Sequence, residues 1–318
     1  MTRWVLERMA YWATRFGFKV GRFAVRIFPR RWLFLLSDFL ADVGFVFFRG
    51  FRLKSISNIG AALSAHSDLG TARATARRSL RNFFRACVEI AVALESSEER
   101  LCSEMPIVGK EWLDAALAKG NGVIVLSAHL GNFFLVGTRL AIAGYPVHVL
   151  VSPPREQRFA KLMDDIRLQA HQRTIRARPR LAALKELNTV LRRNEIAIVI
   201  ADEYRQSNGV SVPLFGGTVM ARRGPATLAL RTGAAIVPAC IVRQPDDGLK
   251  LIIEPELELA RAGKSKNEVH ESTLRITRWL ERTVSAYPDQ WNWTNIDWRE
   301  KTKFAPIAKG HNYQGLTH

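Results

Sequence analysis

The sequence predicts an α/β fold: a mixed, largely parallel sheet flanked by helices, preceded by an amphipathic and hydrophobic helical platform. Three observations carry this. From residue 123 onward, short β-branched runs alternate with helix-length segments, the pattern of a sheet covered on both faces. The 318 residues are 47% hydrophobic, enough for a sizeable core and too much for a disordered chain. The charge is lopsided: of a formal net +18, residues 1–85 hold 16 Lys and Arg against four acids, a net of +12.

The first thirty residues read as one helix. Val5, Met9, Trp12, Phe16, Val20, Phe23 and Ile27 recur at steps of three and four, forming an apolar stripe. Arg8, Arg15, Lys19, Arg22, Arg26 and Arg30 run parallel to it, roughly a quarter-turn away by the 100° helical step. A basic margin beside an aromatic stripe suits a helix in the headgroup layer, its arginines reaching toward lipid phosphates. Trp32–Phe48 is almost wholly apolar but contains Asp38 and Asp42, four apart and so on one helical face. At the lower limit of length and with two acids, it reads as a hydrophobic helix that is monotopic or docked on the domain; a single N-terminal span is the alternative. No short apolar core with a small-residue cleavage site indicates a removable signal peptide.

Helical periodicity runs from about 71 to 103, and 111–119 reads as a short helix closed by Gly120. Strands are expected at 123–127, 147–151, 196–201, 235–242 and 249–253. Helices are expected at 132–143, 155–171, 180–193, 225–233 and 267–286. The domain division is membrane-associating helices over 1–50, an α/β domain over 51–300 and a loose tail over 301–318. Three scattered cysteines (Cys87, Cys102 and Cys240) exclude a disulfide framework and zinc-ligand pairs. The basic charge implies an anionic partner, but no RNA motif, zinc finger or helix-turn-helix accompanies it, so nucleic acid is not expected.

Three segments carry candidate chemistry. Ser127–Phe134 (SAHLGNFF) leaves a strand, turns at a glycine and enters a helix, placing His129 where open α/β sheets bind ligands and where a general base can act. Ile198–Tyr204 is a strand running into Asp202 and Glu203; it is followed by a Phe215-Gly216-Gly217 turn and by Arg222-Arg223-Gly224-Pro225. The amides opening a helix at Gly224, with Arg222 and Arg223, form a candidate phosphate site. The third, Tyr287–Trp293 (YPDQWNW), is a dense aromatic cluster that packing alone could explain.

Taken in order, HLGNFF, ADEY…VPLFGG…RRGPATLALRTGAAIVP and PDQWNW resemble the late acyltransferases of lipid A biosynthesis, the lauroyl/myristoyl transferase family of the lysophospholipid acyltransferase group, over about residues 30–300. The resemblance implies a glycerolphosphate-acyltransferase-like fold on the cytoplasmic face of a bacterial inner membrane, with anionic phospholipid as its surroundings. It implies acyl transfer from acyl carrier protein (or acyl-CoA) to a hydroxyl of a phosphorylated glycolipid, a lipid A precursor or related lipid, with no cofactor or metal. His129 would be the base; Asn132, Arg167, Glu203, Arg222, Arg223 and Gly224 would bind substrate. Arg167 has the alternative of a plain ion pair with Asp164.

One departure stands out. The family places an acid five positions after the histidine, where this chain has Phe134. Loss of an orienting carboxylate can cost on the order of 10⁴ in rate. Three accounts follow: another acid, with Asp202 or Glu203 the nearest candidates, serves His129; His129 works alone and slowly; or the chain is a catalytically inactive lipid-binding paralogue.

Overall fold

A computed structural model describes residues 3–63, 69–204, 209–260 and 266–298. Val5, the first residue of the apolar stripe, has a side chain outside those described, and the expected 301–318 tail lies outside them altogether.

Four helices lead the chain: α1 (Arg3–Ile27), α2 (Arg30–Phe47), α3 (Arg49–Leu63) and α4 (Leu69–Glu95). The stripe on α1 does not pack inward. Met9, Trp12, Phe16, Val20, Phe23 and Ile27 are all exposed, Phe16 by 71%. On α2 both sides are apolar: Leu33, Phe34, Ala41 and Phe45 are buried, while Trp32, Leu35, Phe39 and Val46 face out. Asp38 and Asp42 explain themselves against α4. Arg85 clamps Asp38 at 2.7 Å through two nitrogens, and both Arg77 and Arg81 bind Asp42. Those two guanidiniums hold the Asp42 carboxyl well below the usual carboxylate range. The acids therefore dock α2 on the protein; among the described residues no helix is long and apolar enough to cross a membrane. Half of the basic margin is likewise committed inward: Arg22 and Arg26 bind Glu95 at the end of α4, and Arg30 lies 3.5 Å from Glu89. Ala41 and Phe45 share a buried cluster with Ile124 and Leu126 of the central sheet.

After α5 (Glu98–Glu104), β1 (Ile107–Val108) and α6 (Lys110–Leu117) comes the alternating region. It comprises β2 (Val123–Ser127), α7 (Phe133–Ile142), β3 (Val147–Val151), α8 (Gln157–Gln169), β4 (Arg173–Arg176), α9 (Arg180–Arg192) and β5 (Ile196–Ile200). A hairpin follows, β6 (Val210–Leu214) and β7 (Gly217–Ala221), then α10 (Gly224–Thr232), β8 (Ala235–Arg243), β9 (Leu249–Ile253) and α11 (Lys266–Ala286). The main sheet has the order β1-β9-β8-β2-β5-β3-β4, parallel throughout except for β8 against β9. This is the mixed, largely parallel sheet expected, and β2 and β5 at its centre are buried on both faces, as their continuous apolar runs require.

Sequence reading did not find α3, β1, β4 or the β6–β7 hairpin. The buried face of α3 is Ser55, Asn58, Ile59 and Ala62, half of it polar, so no apolar stripe signals it. Asn58 is inside because its amide donates to the Trp293 and Ile296 carbonyls at 2.7 and 3.2 Å. The hairpin forms its own small sheet whose turn residues, Phe215 and Gly216, take positive φ of 48° and 72°.

Candidate active site

The centre of the sheet brings together the two strand ends that carry polar residues. In the β2–β5 ladder Ser127 pairs with Ile200. His129 and Asp202 each lie two residues further on, so the register that joins the strands also joins these side chains. His129 Nδ1 is 2.8 Å from Asp202 Oδ1. Ladder geometry gives way to the carboxylate here: the His129 backbone N–H donates to Asp202 Oδ2 at 2.8 Å, and the Trp291 indole N–H donates to the same oxygen at 2.7 Å. Asp202 is 1% exposed, whereas the His129 side chain is 25% exposed, so the imidazole is reachable and its partner sealed.

Burial would by itself raise the Asp202 carboxyl. The His129 charge opposes it, and so do the hydrogen bonds from the imidazole, the indole and the His129 amide; the balance lies below the ordinary carboxylate value. An ionised Asp202 accepts from Nδ1–H, which assigns the lone pair to Nε2. The imidazole then has the tautomer and orientation of a general base.

The turn between strand and helix is sterically demanding. Gly131 has φ +56°, and a Cβ there would lie 1.9 Å from the Ile241 carbonyl oxygen of β8. Its amide donates to the Gln290 carbonyl and that of Asn132 to Ile241, so the loop is stitched to β8 and to the segment after α11. That segment forms the back wall. Asn292 donates its amide to the His129 carbonyl at 3.1 Å; Trp291 and Trp293 are fully buried, edge-to-face at 4.9 Å, with the Phe215 ring 5.7 Å from Trp293. The aromatic cluster is thus both packing and a hydrogen-bond donor to the site. Its density in the sequence was visible, but its target was not. Trp291→Phe leaves Asp202 Oδ2 with one donor instead of two, an expected loss of about 1–3 kcal/mol and so about five- to 150-fold in kcat/KM. Steady-state kinetics beside a melting curve check this; unchanged kinetics would show the indole to be packing only.

The other predicted site residues are placed differently. Asn132 is 1% exposed and points to α4, donating to Glu89 Oε2 at 2.9 Å and the Ala86 carbonyl at 3.2 Å. Glu89 is also bound by Arg243 of β8, so a buried charged knot ties the His129 loop to α4. Sequence reasoning missed that knot, although Glu89 stands among the buried Ala86 and Ala93 positions of its helix, which is a legible signal. Arg167 is largely buried on α8, 3.8 Å from Asp164; burial draws its guanidinium below the ordinary value against the pull of that acid. Glu203, the neighbour of Asp202, accepts from Arg222 Nη2 at 2.6 Å. Arg223 and Gly224 are exposed at the start of α10, and a Cβ on Gly224 would meet open space.

Phe134 does not replace an acid beside the histidine; partly buried, it lines a small cavity of about 60 Å³ of mixed character, with Ile90 and Leu101 on one side and Glu98, Thr138 and Gln169 among the polar residues, and it packs on the α7-side core. A carboxylate there gives up the ring's packing on that core and stands near Glu98, while His129 already has a carboxylate partner. Phe134→Glu is therefore expected to lower stability by about 1–3 kcal/mol, read from thermal unfolding, with no gain in turnover. A rise in kcat would show that position 134 can reach the imidazole.

A covered α/β sheet with a carboxylate-oriented imidazole at its central strand ends is an arrangement chemically able to take a proton from an acceptor. The profile of the bacterial lipid A biosynthesis acyltransferases matches residues 2–300, and the chain belongs to this family of acyltransferases. It is similar to the phosphatidylinositol mannoside acyltransferase of Mycolicibacterium smegmatis, 24% identical over 226 residues covering 70% of this chain and 71% of that one. The Mycobacterium tuberculosis (strain H37Rv) protein of the same name is 26% identical over 198 residues, 60% of this chain and 59% of the relative.

Proposed function

We propose that the protein is a membrane-bound O-acyltransferase in which His129 is the general base and Asp202 the acid that orients it. The observation that carries this is the 2.8 Å contact between His129 Nδ1 and a sealed, ionised Asp202. His129 Nε2 takes the proton of an acceptor hydroxyl as its oxygen attacks the carbonyl carbon of an acyl thioester. The tetrahedral oxyanion collapses, the C–S bond breaks, and the imidazolium returns the proton to the departing sulfur. An ester and a free thiol result. The inactive-paralogue account rested on the missing acid at 134, and the Asp202 contact supports the catalytic reading over it.

The donor in this reading is acyl carrier protein or acyl-CoA. The acceptor is a phosphorylated glycolipid hydroxyl: a lipid A precursor, or a mannosylated inositol phospholipid of the kind named for the mycobacterial relatives. The exposed Arg222 and Arg223 at the start of α10 support recognition of an anionic acceptor, with Arg222 shared by Glu203. The surroundings are an anionic bilayer at the cytoplasmic face of a bacterial inner membrane. The exposed aromatic and aliphatic face of α1 and α2 supports this, since patches of that extent on a protein mark a protein or membrane partner.

Purified full-length protein is given acyl carrier thioester and each acceptor in turn, with His129→Gln in parallel. Acylated lipid and stoichiometric thiol from the wild type only are expected. Equal background from both proteins would sink the catalytic reading.

A further inference from the structure

A second concave feature lies away from the dyad, between α1 and α8. The two helices run side by side in the same direction and are clipped at both ends. Near the start, Glu7 on α1 accepts the Glu156 amide that precedes α8, at 2.9 Å. Near the finish, Arg22 donates to Gln169 at 2.9 Å and is anchored from behind by Glu95. Along the two helices lies an open groove of about 440 Å³. That lies within the range of about 300–1,000 Å³ usual for small-molecule sites.

Its lining is predominantly basic. Arg15, Lys19 and Arg22 come from α1, Arg158 and Lys161 from α8, and Asp165 is the acid among them, held by Lys161 at 3.1 Å. Arg22 is bound to Glu95, Lys161 to Asp165, and Arg158 lies 3.9 Å from Glu156; against these three acids the five cations still leave a positive excess, and that field draws an anion in. The groove is not purely ionic: Phe18, Leu162 and Ile166 give it an apolar side. On α1, Arg15 and Lys19 stand between this groove and the exposed Trp12–Phe16–Phe23 face, which lies roughly a third of a turn away by the helical step. An occupant with a phosphate in the groove can therefore lay its hydrocarbon along that face.

We propose that the α1–α8 groove binds the phosphate headgroup of an anionic lipid, a site separate from the one that holds the reacting acceptor at His129. The proposal extends the membrane reading above and names what the membrane presents to the protein. Snorkelling stems on both helices keep the charges at headgroup depth while α1 lies in the interface.

The test uses a photoactivatable phosphatidic acid, its crosslinker near the headgroup, in mixed micelles of non-ionic detergent with the full-length protein. Labelled peptides are expected from 11–22 and 158–169. Lys19→Gln with Arg158→Gln should cut that labelling about tenfold or more. The charge-matched Arg192→Gln with Arg193→Gln, on exposed positions at the end of α9, should leave it unchanged. Labelling spread over the surface, or an equal fall in the control pair, overturns the site. Displacement by excess inorganic phosphate as effectively as by unlabelled lipid overturns the lipid assignment. Sedimentation with vesicles is scored separately, so that failure of membrane attachment and failure of the groove give different results. His129→Gln should label as wild type does, which separates the groove from the reaction.

Discussion

Asp202→Asn is expected to lower kcat by about 10³–10⁴ while leaving KM and the melting temperature nearly unchanged. The reason is tautomeric. Asp202 Oδ2 faces two N–H donors, the His129 amide and the Trp291 indole, so an asparagine would place its carbonyl oxygen there. Its NH₂ group would then face His129 Nδ1, which must accept, and the ring proton would move to Nε2. An imidazole protonated at Nε2 cannot take the acceptor's proton, and this kind of inversion costs about 10⁴ in serine-protease triads. The fold tolerates the change because volume and hydrogen-bond count are preserved. Steady-state kinetics on the carrier thioester, beside thermal unfolding, settle it. A loss smaller than about tenfold would mean that Asp202 is structural and His129 acts unaided. The pH profile gives an independent check: the base must be neutral, so wild-type kcat/KM should fall with unit slope toward acid pH as the imidazole takes a proton. Asp202, held ionised well into acid, is not expected to add another limb above that range.

The other large effect concerns where the protein sits. Phe16→Glu together with Phe39→Glu is expected to reduce partitioning onto vesicles by about 10²–10⁴, since burying each phenylalanine is worth about 1.5–3 kcal/mol. Both side chains are exposed, 71% and 64%, so neither change disturbs the core and the melting temperature should not move. Turnover on a water-soluble, short-chain acceptor should persist, while turnover on vesicle-borne acceptor should collapse. High salt alone should fail to strip the wild type from vesicles, because the apolar contribution is not screened. Undiminished sedimentation of the double variant would remove α1 and α2 from the membrane account.

The same two helices show how far the sequence could be read. The α1 stripe at steps of three and four was legible, and so was the shared face of Asp38 and Asp42. Periodicity reports only that residues lie on one face; it does not report whether protein or lipid covers that face. On α1 the apolar side is left open, and on α2 apolar residues occupy both sides, with the acids turned toward Arg77, Arg81 and Arg85. The basic margin was equally visible, but its division was not, because Glu95 and Glu89 lie dozens of residues away in the chain.

At the site, His129 was legible because a glycine turn after a buried strand is a local pattern. Asp202 was legible as an acid at another strand end and as one of two candidates to serve the histidine. Which of the two does so is decided by distant partners: Asp202 is sealed between His129 and the Trp291 indole, while Glu203 accepts from Arg222. Asn132 and Trp291 show the reverse. Asn132 holds a motif position that invites a ligand role, yet it is bonded to Glu89; Trp291 reads as packing, yet it donates to the carboxylate.

By itself, then, the sequence determined the α/β class, the order of its main strands and helices, the basic amphipathic entry and the histidine turn. All of these are written in neighbours three, four or two residues apart. The tertiary structure decided the rest: that β2 pairs with β5 in a register whose offset equals the spacing of His129 and Asp202, that Phe134 packs on the α7-side core, and that α1 and α8 enclose a cationic groove. Register, burial and long-range pairing depend on which distant segments share the interior. That choice is made by the packing of the whole chain and leaves no local mark on any one segment.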